Sequence, residues 1–273
     1  VVALDEQWPR LFGQLAESGT TAGLNFARRL NMLPVGVIAQ AAGVASFPFM
    51  ARLFSERRTD EMRDTVTVSL RSAVAVGALA TGLIIPTRDT IVRVIYQWGE
   101  FSAADTEVVS TFLLYFSLSI PFWVMHQITT RAFYAQRRMW LPVVIGTVTT
   151  AAIVPILFYL TDRNGGDGIA AGSTIGVALY AVAITIAWLR EGPGHEAVGF
   201  AWFVIKVTTA AVLAGLIAVL TLLVFTDLVP DTAAGLMAAV FGGMGYLGLA
   251  RLFAIDEVSD VVARLIRRVR SAT

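Results

Sequence analysis

The chain has 273 residues, 56% of them apolar and 15% charged, with 23 Gly and no Cys, and its mean hydropathy is +0.69. A soluble fold of this size carries roughly a quarter charged residues, whereas here 21 basic and 20 acidic side chains are gathered into short clusters between long uncharged stretches, the pattern of a membrane protein. A net charge of +1, the absence of cysteine and two widely separated histidines exclude a nucleic-acid-binding domain, a disulfide framework, thiol chemistry and a metal site, and no cofactor motif is present.

About 20 apolar residues carry a helix across roughly 30 Å of hydrocarbon. Residues 1–19 hold Asp5, Glu6 and Arg10, which spoil a complete span, so this stretch reads as the end of a truncated preceding helix. With no initiator Met and no secretory signal pattern, the expectation is a chain missing its N-terminal portion. Runs free of Asp, Glu, Lys and Arg then predict about seven transmembrane helices, at 30–51, 72–87, 108–130, 139–161, 168–189, 207–226 and 232–250. The first contains Pro34 and Pro48, each of which removes a backbone donor and should bend or break it. The second is short but can use Arg71 and Arg88 as snorkelling ends. Ser102 and Asp105 after Gly99 form a capping-box pattern opening the third, which Pro121 should bend. Asn164, Gly165, Gly166 and Gly168 make a tight turn between the fourth and fifth. In the tail, 255–273, Ile255, Val258, Val262, Leu265 and Val269 share one side and arginines the other, reading either as an amphipathic helix on the membrane or as an ordinary solvated terminal helix. The runs are apolar on every side, so the fold class is an all-α polytopic transmembrane bundle and not a barrel.

Lys and Arg set the orientation. The odd loops and the tail hold fourteen, including Arg52, Arg57, Arg58, Arg63, Arg131, Arg137, Arg138, Arg190 and Lys206, against three in the even loops, Arg88, Arg93 and Arg163. The odd loops and the C-terminus are therefore expected in the cytoplasm.

No carboxylate lies deep in a span, which leaves Arg28, Arg29 and His126 as the informative intramembrane residues. On a helix Asn25, Arg29, Gly36, Gln40 and Gly43 fall within about 60° of one another. This stripe either lines a water-filled cavity that receives an anion, or Arg29 snorkels while the small residues let helices pack closely. Arg28 points about 100° away and is the better candidate for plain snorkelling. His126, with Gln127 beside it and no carboxylate partner in any span, reads as a hydrogen-bonded packing residue rather than a proton site. No Ser-His-Asp grouping, HExxH or Gly-rich phosphate loop appears, so catalysis is not expected.

The segment 24–53, LNFARRLNMLPVGVIAQAAGVASFPFMARL, resembles the eighth transmembrane helix of the MurJ/MviN lipid II flippases, a family of the MOP exporter superfamily. The matching positions are Leu24, Asn25, Ala27, Arg29, Leu30, Leu33, Pro34, Gly36, Ala41, Gly43, Pro48, Arg52 and Leu53. WGEFSAADT at 98–106 is similar to the family's turn before the tenth helix, and RAFYA at 131–135 to the end of that helix. The resemblance implies 20–190 as a C-terminal lobe, 200–254 as two further helices forming a lipid-tail groove, and 255–273 as a cytoplasmic tail. It also implies an inner-membrane transporter rather than an enzyme, exporting undecaprenyl-pyrophosphate-linked peptidoglycan precursor by alternating access. Its partners would be that lipid-linked precursor, the missing N-terminal lobe and membrane lipids, with no nucleic acid. Arg29 would meet the substrate with Asn25, Gly36, Gln40 and Gly43 around it, and Arg28 and His126 are secondary candidates. Two departures stand out. Gln40 occupies a usually aliphatic position, and QRRMWLP at 136–142 replaces the family's GDTxTP. A flippase for another polyprenyl-linked oligosaccharide and a non-transporting scaffold of the same fold are the alternatives.

Overall fold

The computed structural model describes Phe12 and residues 19–39, 47–255, 257 and 258. All regular structure among them is helical: α1 (Thr20–Ala39), α2 (Phe47–Ser55), α3 (Thr59–Tyr96), α4 (Ala103–Ser117), α5 (Ile120–Ala135), α6 (Trp140–Arg190), α7 (Gly194–Phe225) and α8 (Asp231–Leu252). At the centre lies α3, which packs on α1, α2, α4, α5, α7 and α8. Its 38 residues extend roughly 57 Å, well beyond the short run expected at 72–87. Arg71 does not simply snorkel: it pairs with Glu257 at 3.4 Å and lies over the Phe203 ring.

Close helix crossings are made by small residues, as expected where lipid supplies no hydrophobic drive between helices. A Cβ on Gly82 of α3 would come within 2.6 Å of the Ala211 carbonyl oxygen of α7, and one on Gly215 within 3.0 Å of the Gly82 oxygen. On its other side α7 packs along α8, where a Gly242 Cβ would lie 3.1 Å from the Ala214 oxygen. The Tyr246 hydroxyl donates to the Ala75 carbonyl at 2.7 Å, tying α8 to α3.

The prolines act as their positions dictate. Pro121 lies in the first turn of α5, and α4 and α5 meet at a 43° bend. The Ser117 carbonyl that Pro121 leaves without a donor accepts from the Thr81 hydroxyl at 2.8 Å. Ser102 and Asp105 form the expected capping box at the start of α4. Pro34, by contrast, does not end its helix, since α1 runs through it to Ala39. Pro48 falls in the first turn of α2, where a missing N–H costs nothing.

Among the described residues four helices are long and apolar enough to cross a membrane, α3, α6, α7 and α8, and five spans result if the bent α4–α5 pair is one. The 51-residue α6 turns back on itself at Gly165, where φ is 52°, as the Gly-rich turn predicted. Gly168, Gly172 and Gly176 consequently lie against Leu160, Leu157 and Ile153, an antiparallel pairing of two arms of about 25 residues each. The expected first span is described only as α1 and α2, since 40–46 lie outside the described residues, so the figure of seven remains a sequence expectation. Of the tail, Ile255 and Val258 are buried against the core and Glu257 pairs with Arg71, and 256 and 259–273 lie outside the described residues.

Candidate functional site

Helix α1 carries two polar faces. One is uncovered: Ala22, Arg29, Leu33, Gly36 and Val37 are exposed with Asn25 half-exposed, a stripe at helical spacing. Leu33 is 62% and Val37 72% exposed, and a Cβ on Gly36 would meet nothing within 4 Å. The structure thus places Arg29, Asn25 and Gly36 on one open face. Gln40 and Gly43 lie outside the described residues. Arg29 makes no ion pair among the described residues. Toward the N-terminal end of α1 Phe26, with Tyr96 and Phe101, forms an aromatic cluster with centroids 4.9 to 5.9 Å apart.

The opposite face is packed. Leu24, Ala27, Leu30, Asn31, Val35 and Ile38 are buried. Arg28 is half-buried and lines a crevice with Asn31, Ser119, Trp123, Ser173 and Thr174, at the α4–α5 bend and the second arm of α6. The face on which Arg28 was expected to snorkel is thus packed partly against protein. Asn31 donates to Ser119 Oγ at 3.3 Å while its own Oδ1, like Ser173 Oγ, is buried without a partner. The sequence reading missed Asn31, although its i, i+3 spacing from Arg28 was the signal that a second polar face exists.

His126 is buried, its ring 5.1 Å from Trp123 and 5.4 Å from Tyr180. It packs as expected, but neither ring nitrogen has a hydrogen-bond partner. The expected hydrogen bond is therefore not made, since aromatic rings and apolar side chains occupy its surroundings.

Among the described ends predicted to be cytoplasmic, ion pairs hold the later helices to α3. Arg63 pairs with Glu196 at 2.8 Å, with the two side chains only 13% and 18% exposed, and lies over the Trp188 ring. Lys206 donates to the Phe253 carbonyl at 2.9 Å.

A bundle of long apolar helices, with an arginine-centred polar stripe on a helix face that the described residues leave uncovered, defines a polytopic membrane protein. The chain belongs to the lipid II flippase MurJ family, whose model matches residues 9–235. It is 28% identical over 180 residues to a probable lipid II flippase MurJ of Rhizobium tropici, covering 64% of this chain and 33% of that protein. Against the probable lipid II flippase MurJ of Bdellovibrio bacteriovorus it is 22% identical over 257 residues, covering 92% and 48%. The chain therefore spans a third to a half of the length of these relatives. A solved structure titled "Lipid II flippase MurJ, inward closed conformation" superposes with a TM-score of 0.76 at 17% identity, covering 93% of this chain and 51% of that one, which establishes the shared fold. The chain is accordingly part of a multi-pass inner-membrane protein.

Proposed function

We propose that this chain forms the C-terminal lobe of a flippase that exports undecaprenyl-pyrophosphate-linked peptidoglycan precursor by alternating access, with Arg29 facing the cavity toward a preceding lobe. The observation that carries the reading is the open stripe on α1. A guanidinium at membrane depth, with no ion pair among the described residues, needs water or an anion beside it. Its planar fork suits a pyrophosphate bidentately. Asn25 supplies a further hydrogen-bonding group on that face, and Gly36 leaves room for a ligand to approach the backbone. The odd loops and the C-terminus are cytoplasmic, residues 20–190 form the lobe, and α7 with α8, within 200–254, hold the lipid tail. Transport, and not catalysis, is the activity.

The test is complementation of a flippase-depleted bacterium by the complete gene, with membrane abundance followed by immunoblot. Arg29→Ala should abolish growth and Arg29→Lys impair it, both at unchanged abundance, because Lys keeps the charge but loses the fork. Arg28→Ala should act instead through abundance, since Arg28 lines a packed crevice. Normal growth of Arg29→Ala at normal abundance would overturn the assignment.

A further inference from the structure

We propose that the two corners at Arg57 and Arg137 form a docking surface for anionic glycerophospholipid headgroups. Both corners are built alike. Helix α2 ends with Arg57 N–H donating to the Phe54 carbonyl at 3.1 Å and Arg58 N–H to the Leu53 carbonyl at 2.9 Å. Helix α5 ends with Arg137 N–H donating to the Tyr134 carbonyl at 2.9 Å and Arg138 N–H to the Phe133 carbonyl at 2.9 Å. This paired closure requires a left-handed residue just past the helix, usually glycine. Here the residues are arginines, at φ 59° and 62°, a conformation in which a Cβ is strained.

Three described helix ends close this way on a residue other than glycine, and where the third carries Ala254 at φ 51° these two carry a cation. Topology does not require it, since the orientation rule counts Lys and Arg anywhere in a short loop. The neighbouring charges are also spent. Arg58 pairs with Glu56 and Glu61, Arg52 with Glu56, and Arg138 with Glu191. Arg57 and Arg137 are both exposed, and neither makes an ion pair among the described residues. Arg63, just past the first corner, lies over the Trp188 ring, and Phe133, just before the second, packs edge-on against the same ring, which sets both corners at the same end of the bundle. Beside Arg137 stand exposed side chains suited to the headgroup zone: Trp140 is 80% and Met139 61% exposed, with Tyr134 at 40%. A cation ringed by exposed aromatic and apolar groups at a helix end is matched by a phosphodiester with its glyceride base below, and not by a free anion in water.

The leaflet rests on the orientation proposed above, but the lipid contact does not, because a nanodisc offers the same lipid on both faces. The full chain is reconstituted in nanodiscs of phosphatidylcholine with increasing phosphatidylglycerol, and the mole fraction giving half of the thermal stabilisation is read. Each arginine near an anionic surface raises binding about fivefold, so Arg57→Gly with Arg137→Gly should shift that mole fraction upward by an order of magnitude or more. In phosphatidylcholine alone the same variant should melt no lower than the parent, because glycine relieves the strained backbone. Arg57→Lys with Arg137→Lys should retain the phosphatidylglycerol effect. Three results each overturn the proposal: an unchanged lipid response in the glycine variant, a lower melting temperature for it in phosphatidylcholine, or full stabilisation by inorganic pyrophosphate without anionic lipid. The last would identify a soluble-anion site.

Discussion

Gly82→Ala adds one methyl group where α3 and α7 cross, and the added Cβ would lie 2.6 Å from the Ala211 carbonyl oxygen. Ordinary contact needs a further ~0.8 Å, and a gap of that size forfeits a quarter to a half of each dispersion contact along the crossing. Helix α7 cannot simply back away, because Gly215 faces the Gly82 oxygen on one side while Gly242 of α8 sits against Ala214 on the other. Alanine gains about 1 kcal/mol of helix propensity over glycine, and overpacking against backbone costs about 1–3 kcal/mol. A net loss of up to about 2 kcal/mol is expected, a fall of up to roughly 4–8 °C in apparent Tm for a chain of this size. Gly36→Ala supplies the opposite sign, since its methyl group meets nothing within 4 Å and keeps the propensity gain. Differential scanning fluorimetry of both variants in one mild detergent makes the comparison. If Gly82→Ala melts at or above the parent, the crossing is not held by backbone contact and the packing account of α7 on α3 fails.

Thr81→Val should lower stability by about 1–2 kcal/mol, since it leaves the Ser117 carbonyl at the Pro121 bend without its donor; an unchanged Tm would mean that the bend needs no side-chain support. Single cysteines at Ser55 and Gln136 should resist an impermeant thiol reagent in intact cells while one at Asn164 reacts, and the reverse pattern would invert the topology. Asn164 is preferred because it is exposed, whereas a side chain at Gly166 would collide with Phe112 and Thr20. Hydrogen bonds from Arg52 and then Arg58 hold the Glu56 carboxyl below its ordinary range. A depressed carboxyl contributes above its unfolded pKa and loses that contribution as pH falls through the folded value, so protonation of Glu56 frees Arg52 while Arg58 keeps its pair with Glu61. Glu56→Gln should therefore raise anionic-lipid affinity at neutral pH and abolish its further rise in acid, and an unaltered pH profile would sink this coupling.

Much of the bundle was legible because its signals are local. The capping box at Ser102, the bend at Pro121 and the turn at Gly165 each depend on a few adjacent residues, and all three stand as expected. What failed were readings that needed a neighbour. Charge-free runs measure where the hydrocarbon lies, not where a helix ends, so 72–87 became a helix of 38 residues whose ends are held by partners far along the chain. Pro34 was expected to bend or break α1, and the break does not occur: neighbouring helices can compensate for a lost backbone bond inside a membrane, and α1 continues. His126 was assigned a hydrogen bond on the strength of its chemistry alone, and the rings of Trp123 and Tyr180 take that space instead.

The same distinction explains the two arginines of α1. Adjacent positions on a helix are about 100° apart, so periodicity separates Arg28 from Arg29 but cannot say which direction faces protein. The contacts decide it: α4, α5 and α6 all pack on α1, and the buried residues Leu24, Ala27, Asn31 and Val35 mark that side, with Arg28 at its edge. Arg29 lies on the remaining side, where Leu33 and Val37 are exposed as well. A face that mixes large apolar side chains with an arginine and a glycine is unsuited to plain lipid contact at the arginine and unsuited to bulk water at the leucine and valine. It suits the boundary proposed for it, apolar against a preceding lobe at one level and wet at another. That is why the Arg29 substitutions are to be judged in the complete protein, where both levels exist, and not from the stability of this chain alone.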